Sequence, residues 1–316
     1  MVKLSPAMAR RVEAAIAAFR ASLPDPGPNA QLSDAFPRPQ AVKGGITNRN
    51  FRIEVGGQPY FLRLFGQETG RLGVDREAEV RCHTLAAGRG LAPPVLMWLP
   101  GGEGFVARWI EGGHSTPDDL ARPANLERLA RLLRECHEGA PFPPIPSPFE
   151  AVRRLGAGSP GSPAPSGARA ALAILARLEQ ALMPPPHMAP IHNDVVPENV
   201  MDDGERLWLV DWEYAGQGDP FMDLGTVAAY LNLDTDACAA FLQAWGGAPD
   251  ATAETFLARV MLMAAVSNAR DAFWCFRQAT LSDLEMDFTA YGQAFLDAFL
   301  ERAASPDFVR WLEMVE

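Results

Sequence analysis

Lysine is almost absent from this sequence: the 316 residues contain only Lys3 and Lys43, and the other basic side chains are arginines. Any site that needs a fixed positive charge must therefore use Lys43 or an arginine. Acidic residues outnumber basic ones by 39 to 28, which gives a formal net charge of −11. Because binding to a phosphate backbone depends on clustered Lys and Arg, this balance argues against a nucleic-acid partner.

Two further absences narrow the class of protein. The four cysteines are widely spaced and form no CxxC pair, so neither a zinc site nor a disulfide framework is predicted. No apolar run reaches the ~20 residues needed to cross a bilayer, and the first twenty residues lack the apolar centre of a secretory signal. We therefore expect a cytoplasmic protein without membrane insertion. The sequence does not fix its oligomeric state.

The pattern of elements changes along the chain. After an amphipathic helix at 6–23, alternating stretches at 51–55 and 60–64 flank Gly56-Gly57 and predict a hairpin. A helix at 76–87 and two further strands complete a β-rich unit, and beyond Gly112-Gly113 nearly all periodic segments are helical. We predict an α+β, two-lobed fold: residues 1–111 form an N-terminal helix and a nucleotide-binding lobe, and residues 112–316 form a helical lobe with the catalytic loop and substrate site.

The strongest motif is Ile191 to Asn199, which fits H-x-D-x-x-x-x-N and is followed by a predicted apolar strand that ends in Asp211. Protein kinases place an Asp that accepts the hydroxyl proton, an Asn on one metal ion and a second metal-binding Asp in this order. Carboxylate and amide oxygens also suit Mg²⁺. We predict that Asp194 is the base and that Asn199 and Asp211 bind the metal, whereas His192 braces the loop.

A glycine-containing segment before the hairpin is a second candidate site. Two glycines and small polar residues between strands let backbone N–H groups approach phosphates. The residues that we expect to contact the nucleotide here are Gly45, Thr47, Asn48 and Asn50. A Gly-Gly segment alone is common in hairpins, but this one lies one hairpin before a suitably placed arginine.

That arginine, Arg63, lies on the strand where protein kinases carry the lysine that holds the ATP phosphates. Arginine can fill this role through two parallel hydrogen bonds. Its carboxylate partner should lie on the next helix, where Glu77 is preferred and Glu79 is the alternative. Farther along, the backbone of Arg108, Trp109 and Ile110 can pair with adenine, although Trp109 is equally compatible with core packing.

These motifs resemble the choline/ethanolamine kinase family, within the aminoglycoside-phosphotransferase-like kinases. The resemblance runs from about Gly44 to Leu300 and is closest at 44–50, at 191–199 and in the string Asp-Trp-Glu-Tyr-Ala-Gly at 211–216. It implies a protein-kinase-like fold, ATP and Mg²⁺ as cofactors, and a primary hydroxyl as the phosphoryl acceptor. In this resemblance Asp194 is the base, and Arg63 contacts the nucleotide phosphates.

The resemblance also points to a small cationic alcohol as substrate, choline or ethanolamine. Trp274 falls on a family aromatic position, where a ring face suits an ammonium group. Asp271 stands where members of the family can carry a tryptophan, and Glu213 resembles a family residue near the amine pocket. The alternatives are core packing for Trp274, bracing for Glu213, a kinase for thiamine or an aminoglycoside-like alcohol, and a non-catalytic nucleotide-binding protein.

Overall fold

The computed structural model describes residues 5–23, 39–42, 48–66, 69–156, 165–246, 253–282 and 286–316. Its N-terminal part is built on one antiparallel sheet with the strand order β1-β2-β3-β5-β4. The strands are β1 (Gln40–Ala41), β2 (Arg49–Val55), β3 (Gln58–Leu64), β4 (Val95–Trp98) and β5 (Gly104–Arg108). Gly56 and Gly57 both have positive φ values, 59° and 74°, which suits the tight turn between β2 and β3. The predicted hairpin is therefore confirmed.

Two helices flank this sheet. Helix α1 (Pro6–Ser22) buries Val12, Ala15, Ile16 and Phe19, whose i, i+3, i+4, i+7 spacing forms one face. That face packs on the alternate residues of β2 that point inward, such as Phe51 and Ile53. Helix α2 (Arg76–Gly88) begins after Asp75, whose carboxylate accepts hydrogen bonds from two backbone N–H groups of its first turn.

The C-terminal part is mostly helical, which confirms the α+β class with a β-rich N-terminal and a helical C-terminal lobe. The division at residue 111 stays a prediction. The helices are α3 (Pro117–Leu120), α4 (Pro123–His137), α5 (Pro148–Gly156), α6 (Ala168–Leu182), α7 (Phe221–Tyr230), α8 (Thr235–Trp245), α9 (Ala253–Gln278), α10 (Phe288–Ala304) and α11 (Pro306–Val315).

Helix α9 is the centre of this lobe. Its 26 residues extend about 39 Å. Every residue from 258 to 269 is buried, because α5, α7, α10 and α11 all pack against it. Despite this apolar character, no helix in the described ranges is long and apolar enough to cross a membrane.

Five short strands position the loops of the helical lobe; the sequence pattern predicts β9, before Asp211, but not the other four. Strands β7 (Ala189–Ile191) and β10 (Gly216–Gly218) pair with each other, and β6 (Gly113–His114), β8 (Val200–Asp202) and β9 (Leu207–Leu209) form a second small sheet. The motif Asp194 follows β7, and Asp211 follows β9. A hydrogen bond of 2.9 Å from Val210 N–H to the Asn199 carbonyl joins the two loops.

The close approach of α7 to α9 gives a test of this packing. A methyl group on Gly225 of α7 would lie 2.6 Å from the Met263 carbonyl carbon of α9, a distance that backbone atoms cannot tolerate. We expect Gly225→Ala to lower the free energy of unfolding by at least about 1–3 kcal/mol, measured by urea unfolding.

Gly88→Ala is the matched control, because Gly88 is also helical and a methyl group there meets nothing within 4 Å. It should be neutral or stabilising by about 0.4–1 kcal/mol. Equal stability of the two variants would contradict the close packing of α7 on α9.

Candidate active site

The loop that carries Asp194 is held by a buried carboxylate beneath it. Asp223, at the start of α7, accepts hydrogen bonds from the backbone N–H groups of His192 (2.8 Å) and Asn193 (2.6 Å). His137 also lies 3.1 Å from Asp223, and Trp245 donates to the other nitrogen of that imidazole. These bonds fix the backbone immediately before Asp194.

Two residues of the site have left-handed backbone conformations. Asn193 has φ 61° and Asp211 has φ 68°, values that residues other than glycine adopt uncommonly and that often mark functional sites. His192 lies between the two loops: its Nε2 is 3.0 Å from the Val210 carbonyl oxygen, and its ring packs edge-on against Trp212. Burial lowers the pKa of His192, so it is neutral and suited to bracing.

Asp194 lies in the cleft, with 27% of its side chain exposed. The Asn199 side-chain amide donates to its carboxylate over 2.9 Å and to its backbone oxygen over 3.0 Å. Burial raises the pKa of Asp194 to about 8, and the charge of Arg270 opposes this rise. A bound divalent cation would add positive charge nearby and would favour the ionised form further.

The oxygens in the cleft fit a magnesium ion. Asn199 uses its amide N–H groups on Asp194, which leaves its amide oxygen for a cation, and Asp211 supplies a carboxylate. Among the described residues, no three His, Cys, Asp or Glu side chains converge as a metal site. A site with one or two protein carboxylates is common for Mg²⁺ in nucleotide-binding enzymes, because phosphate oxygens and waters provide its other ligands.

Arg63, on β3, contacts Asp211 directly. Its side chain is 5% exposed, and both terminal nitrogens bond the two oxygens of Asp211, with Nη2 to Oδ2 at 3.0 Å. Its Nε donates to the side chain of Asn50 over 3.1 Å. The predicted phosphate cation and the predicted metal ligand are thus in direct contact.

A second, partly buried arginine connects the lobes. Arg76, in the first turn of α2, donates to Glu79 over 2.6 Å and to Glu213 over 3.0 Å. It also donates to Asn48, which in turn donates to Glu213. These contacts favour the bracing alternative for Glu213 and place the Asn48 side chain in the same brace.

The prediction that Glu77 is the helix partner of Arg63 is wrong. Glu79 Oε1 lies 3.9 Å from Arg63 Nη1 and is fully buried, whereas Glu77 is exposed. Glu79 lies on the inward face of α2 with Cys82, His83 and Ala86, and Glu77 lies about 200° away around the helix. Burial raises the pKa of Glu79 to about 7, and Arg63 and Arg76 oppose that rise.

The structure describes only some of the other residues that are predicted to bind the nucleotide. Gly45 and Thr47 lie outside the described residues. Arg108 ends β5 with an exposed side chain, and Ile110 is buried. Trp109 is half-buried, with the Arg52 guanidinium 5.6 Å from its ring centroid. Their role in adenine binding stays a prediction.

Helix α9 contacts the loop that carries Asp194 and the loop after Asp211. Trp274 donates from its indole nitrogen to the Tyr214 hydroxyl over 2.8 Å, which fixes the ring beside the loop after Asp211. Asp271, by contrast, accepts from Arg270 over 3.1 and 3.0 Å and from the Tyr230 hydroxyl over 3.0 Å. Its charge is therefore already compensated within the protein.

Sequence reasoning missed three residues that shape this site: Arg76, Asp223 and Arg270. A usable signal existed for Arg270, since a charged residue inside a long apolar helix requires a buried partner. Asp223 gave no signal in the sequence, because the loop whose N–H groups donate to it lies about thirty residues earlier in the chain.

The sequence matches a known protein family over more than half of its length. The model of the phosphotransferase enzyme family matches residues 39–255, which include both loops and Arg63. The chain belongs to this family. It is a kinase that acts on an alcohol, and the resemblance to choline/ethanolamine kinases is confirmed by a solved structure. That structure, a choline/ethanolamine kinase family protein from Mesorhizobium loti, has 26% identity and a TM-score of 0.77 over 95% of this chain and 98% of the other.

Two curated relatives match parts of the sequence. Protein LicA of Haemophilus influenzae is 27% identical over 210 residues, which are 64% of this chain and 61% of LicA, so the match spans less than two thirds of that protein. A thiamine kinase of Escherichia coli is 42% identical over 57 residues, or 18% of this chain and 21% of the other.

The assignment of Glu79 gives the second prediction. At pH 8, above the Glu79 pKa of about 7, Glu79→Gln should raise the Kd for MgADP and lower the free energy of unfolding by about 1.5–3 kcal/mol, because the hydrogen bond of Arg76 loses its ionised acceptor. Calorimetric titration and urea unfolding measure the two effects. Glu77→Gln, two residues earlier and exposed, should change neither quantity, and a larger effect from Glu77→Gln would contradict the assignment.

Proposed function

We propose that this protein transfers the γ-phosphoryl group of MgATP to the hydroxyl of a small amino alcohol, choline or ethanolamine. The observation that carries the proposal is the convergence of Asp194, Asn199 and Asp211 in one cleft beside Arg63. Separate strand ends bring these groups together, and the cleft has both the oxygen ligands and the cation that phosphoryl transfer needs. An ATP-dependent reaction fits a cytoplasmic protein.

Each residue has a definite task in this proposal. Mg²⁺, when bound, supplies positive charge that neutralises the phosphates. Asn199 and Asp211 would hold it, and Arg63, whose fork bonds Asp211, would add positive charge beside the phosphates. Asp194 would orient the acceptor hydroxyl and accept its proton. The Arg76 contacts with Glu79 and Glu213 hold α2 and the Asp211 loop in position.

The acceptor class follows from which charges are already paired. Asp271 and Glu213 both bond to arginines, so the ring of Trp274 is the group that we assign to the substrate cation. A quaternary ammonium has no N–H to donate and interacts best with an aromatic face. This argument favours choline over ethanolamine.

A thiamine kinase is the second candidate function. The 42% identity with a thiamine kinase over 57 residues favours it, but those residues are only 18% of this chain. Thiamine also combines a primary hydroxyl with a positively charged ring. The two candidates share the catalytic groups and differ in the size of the acceptor that the α9 side of the cleft admits.

A panel of acceptors tests the function. We expect ATP-dependent phosphorylation of choline, with lower kcat/KM for ethanolamine and thiamine, measured by coupled ADP release. The neutral isostere 3,3-dimethylbutan-1-ol is the decisive control, because it has the shape of choline without its charge. Losing a cation–π contact of about 0.5–2 kcal/mol should raise its KM roughly 2- to 30-fold.

Trp274→Ala should remove most of the difference in KM between choline and its neutral isostere and leave the KM for ATP unchanged. Trp274→Phe is the matched control, since it keeps a ring face but loses the hydrogen bond to Tyr214. Equal kcat/KM for choline and its neutral isostere in the unmodified protein would refute the cationic-acceptor proposal.

The assignment of the base predicts a separate result. Asp194→Asn keeps the size of the side chain but cannot take a proton, so kcat should fall by roughly 10²- to 10⁴-fold. The Kd for MgADP should change little, because Asp194 faces the acceptor. If the folded variant retained near-normal turnover, Asp194 would not be the base.

A further inference from the structure

Arg270, in α9, makes contacts that neither the motif pattern nor the family match at residues 39–255 assigns. Its side chain is 11% exposed and points at the loop that carries Asp194. Nη1 donates to the backbone oxygen of Asn193 over 2.5 Å and lies 3.2 Å from the side-chain oxygen of the same residue. One nitrogen thus holds both the main chain and the side chain of the residue before Asp194.

The opposite edge of the guanidinium is fixed as well. Nε and Nη2 both donate to Asp271 Oδ1, and Asp271 Oδ2 accepts from the Tyr230 hydroxyl of α7. The fork is therefore anchored to two helices. Because a planar guanidinium with both edges bonded cannot rotate, it positions its remaining contacts firmly.

Asn193 needs such an anchor. Its φ of 61° is a left-handed conformation that costs an L-residue energy, and Asn adopts it only at isolated positions. Besides Arg270, its backbone N–H is held by Asp223 and its side-chain NH₂ donates to the Tyr214 carbonyl over 3.1 Å. This conformation determines the direction in which the next residue, Asp194, points its carboxylate.

The contact of Arg270 with Asp194 itself is of a different kind. Nη2 lies 3.7 Å from Asp194 Oδ1, which is longer than a hydrogen bond. The arginine therefore leaves the carboxylate oxygens to Asn199 and to ligands; it acts on Asp194 through its charge and, by hydrogen bonds, through the backbone of Asn193.

We infer that Arg270 is a positioning residue, which holds Asn193 in its left-handed conformation and so aims the Asp194 carboxylate at the acceptor hydroxyl. This inference rests on the proposed function for its catalytic consequence, but the conformational part stands alone. It also gives α9 two tasks one helical turn apart: Arg270 orients the base, and Trp274 forms the wall for the acceptor.

A merely structural role would give a different pattern of effects, and the same helix offers a matched control. Arg259 is also buried in α9, about three turns earlier, and bonds Asp219 over 2.7 Å and the Leu182 carbonyl oxygen over 2.5 Å. It has the same chemistry in the same helix, without contact to Asn193.

The experiment compares Arg270→Lys, Arg270→Met and Arg259→Lys. For Arg270→Lys we expect kcat with choline to fall by roughly 10- to 100-fold, because a small misplacement of a catalytic group has effects of this size. The Kd for MgADP should stay within about twofold, since the phosphate-side groups lie on other elements. Arg270→Met should lose more activity than Arg270→Lys, which keeps one cation to bond Asn193.

Arg259→Lys should lower the Tm and leave kcat near normal. The inference is overturned if Arg270→Lys lowers only the Tm, as the control does, or if its kcat loss is matched by Arg259→Lys.

Crystal structures of Arg270→Lys and Arg270→Met separate this inference from the proposed function. We expect Asn193 to leave its left-handed conformation in the Met variant, with displacement of the Asp194 carboxylate. If the unmodified protein phosphorylates none of the acceptors, the amino-alcohol proposal fails, and the Asn193 conformation alone decides the role of Arg270. An unchanged Asn193 and Asp194 in both variants would refute that role.

Discussion

The bidentate contact between Arg63 and Asp211 is the interaction on which the cleft depends. It joins the central strand of the sheet to the loop after β9, so it sets how the two lobes meet. A lysine could not make it, because an ammonium has no planar fork and could not also hold Asn50 through a third nitrogen. Arg63 is buried, so removing Asp211 would leave its charge only Glu79, 3.9 Å away, as an acidic neighbour.

An arginine holds a second loop in the same way. Arg63 bonds a residue with positive φ, Asp211, and Arg270 bonds another, Asn193. The two loops that carry the reacting groups thus have strained backbones, and a guanidinium from a different element holds each one. Strain persists only where the surroundings over-determine it, and such fixed geometry lowers the cost of aligning reactants. A sequence rich in arginine and nearly without lysine is suited to this construction.

Local rules were sufficient for much of the fold and for the positions of the two motif loops. The periodicity of α1, the turn at Gly56-Gly57 and the spacing from Asp194 to Asn199 are local signals, and the corresponding elements are present. The short strands β6 to β10 are three residues or fewer, too short for any periodicity to emerge. Glu79 was within reach of the sequence, because its spacing to Cys82, His83 and Ala86 places it on the buried face of α2.

The charged residues of α9 show where local reasoning stops. The sequence predicts that this helix forms part of the acceptor site, but it cannot say whether Asp271 faces a ligand or another side chain. In the fold Arg270 and Tyr230 use both of its oxygens, which leaves no unpaired charge there for an amine. A carboxylate buried in an apolar helix must be compensated within the protein before any ligand arrives, since an isolated buried charge is too costly. In the proposed function, recognition of a cation therefore falls to the ring of Trp274, three residues along the same helix from Asp271.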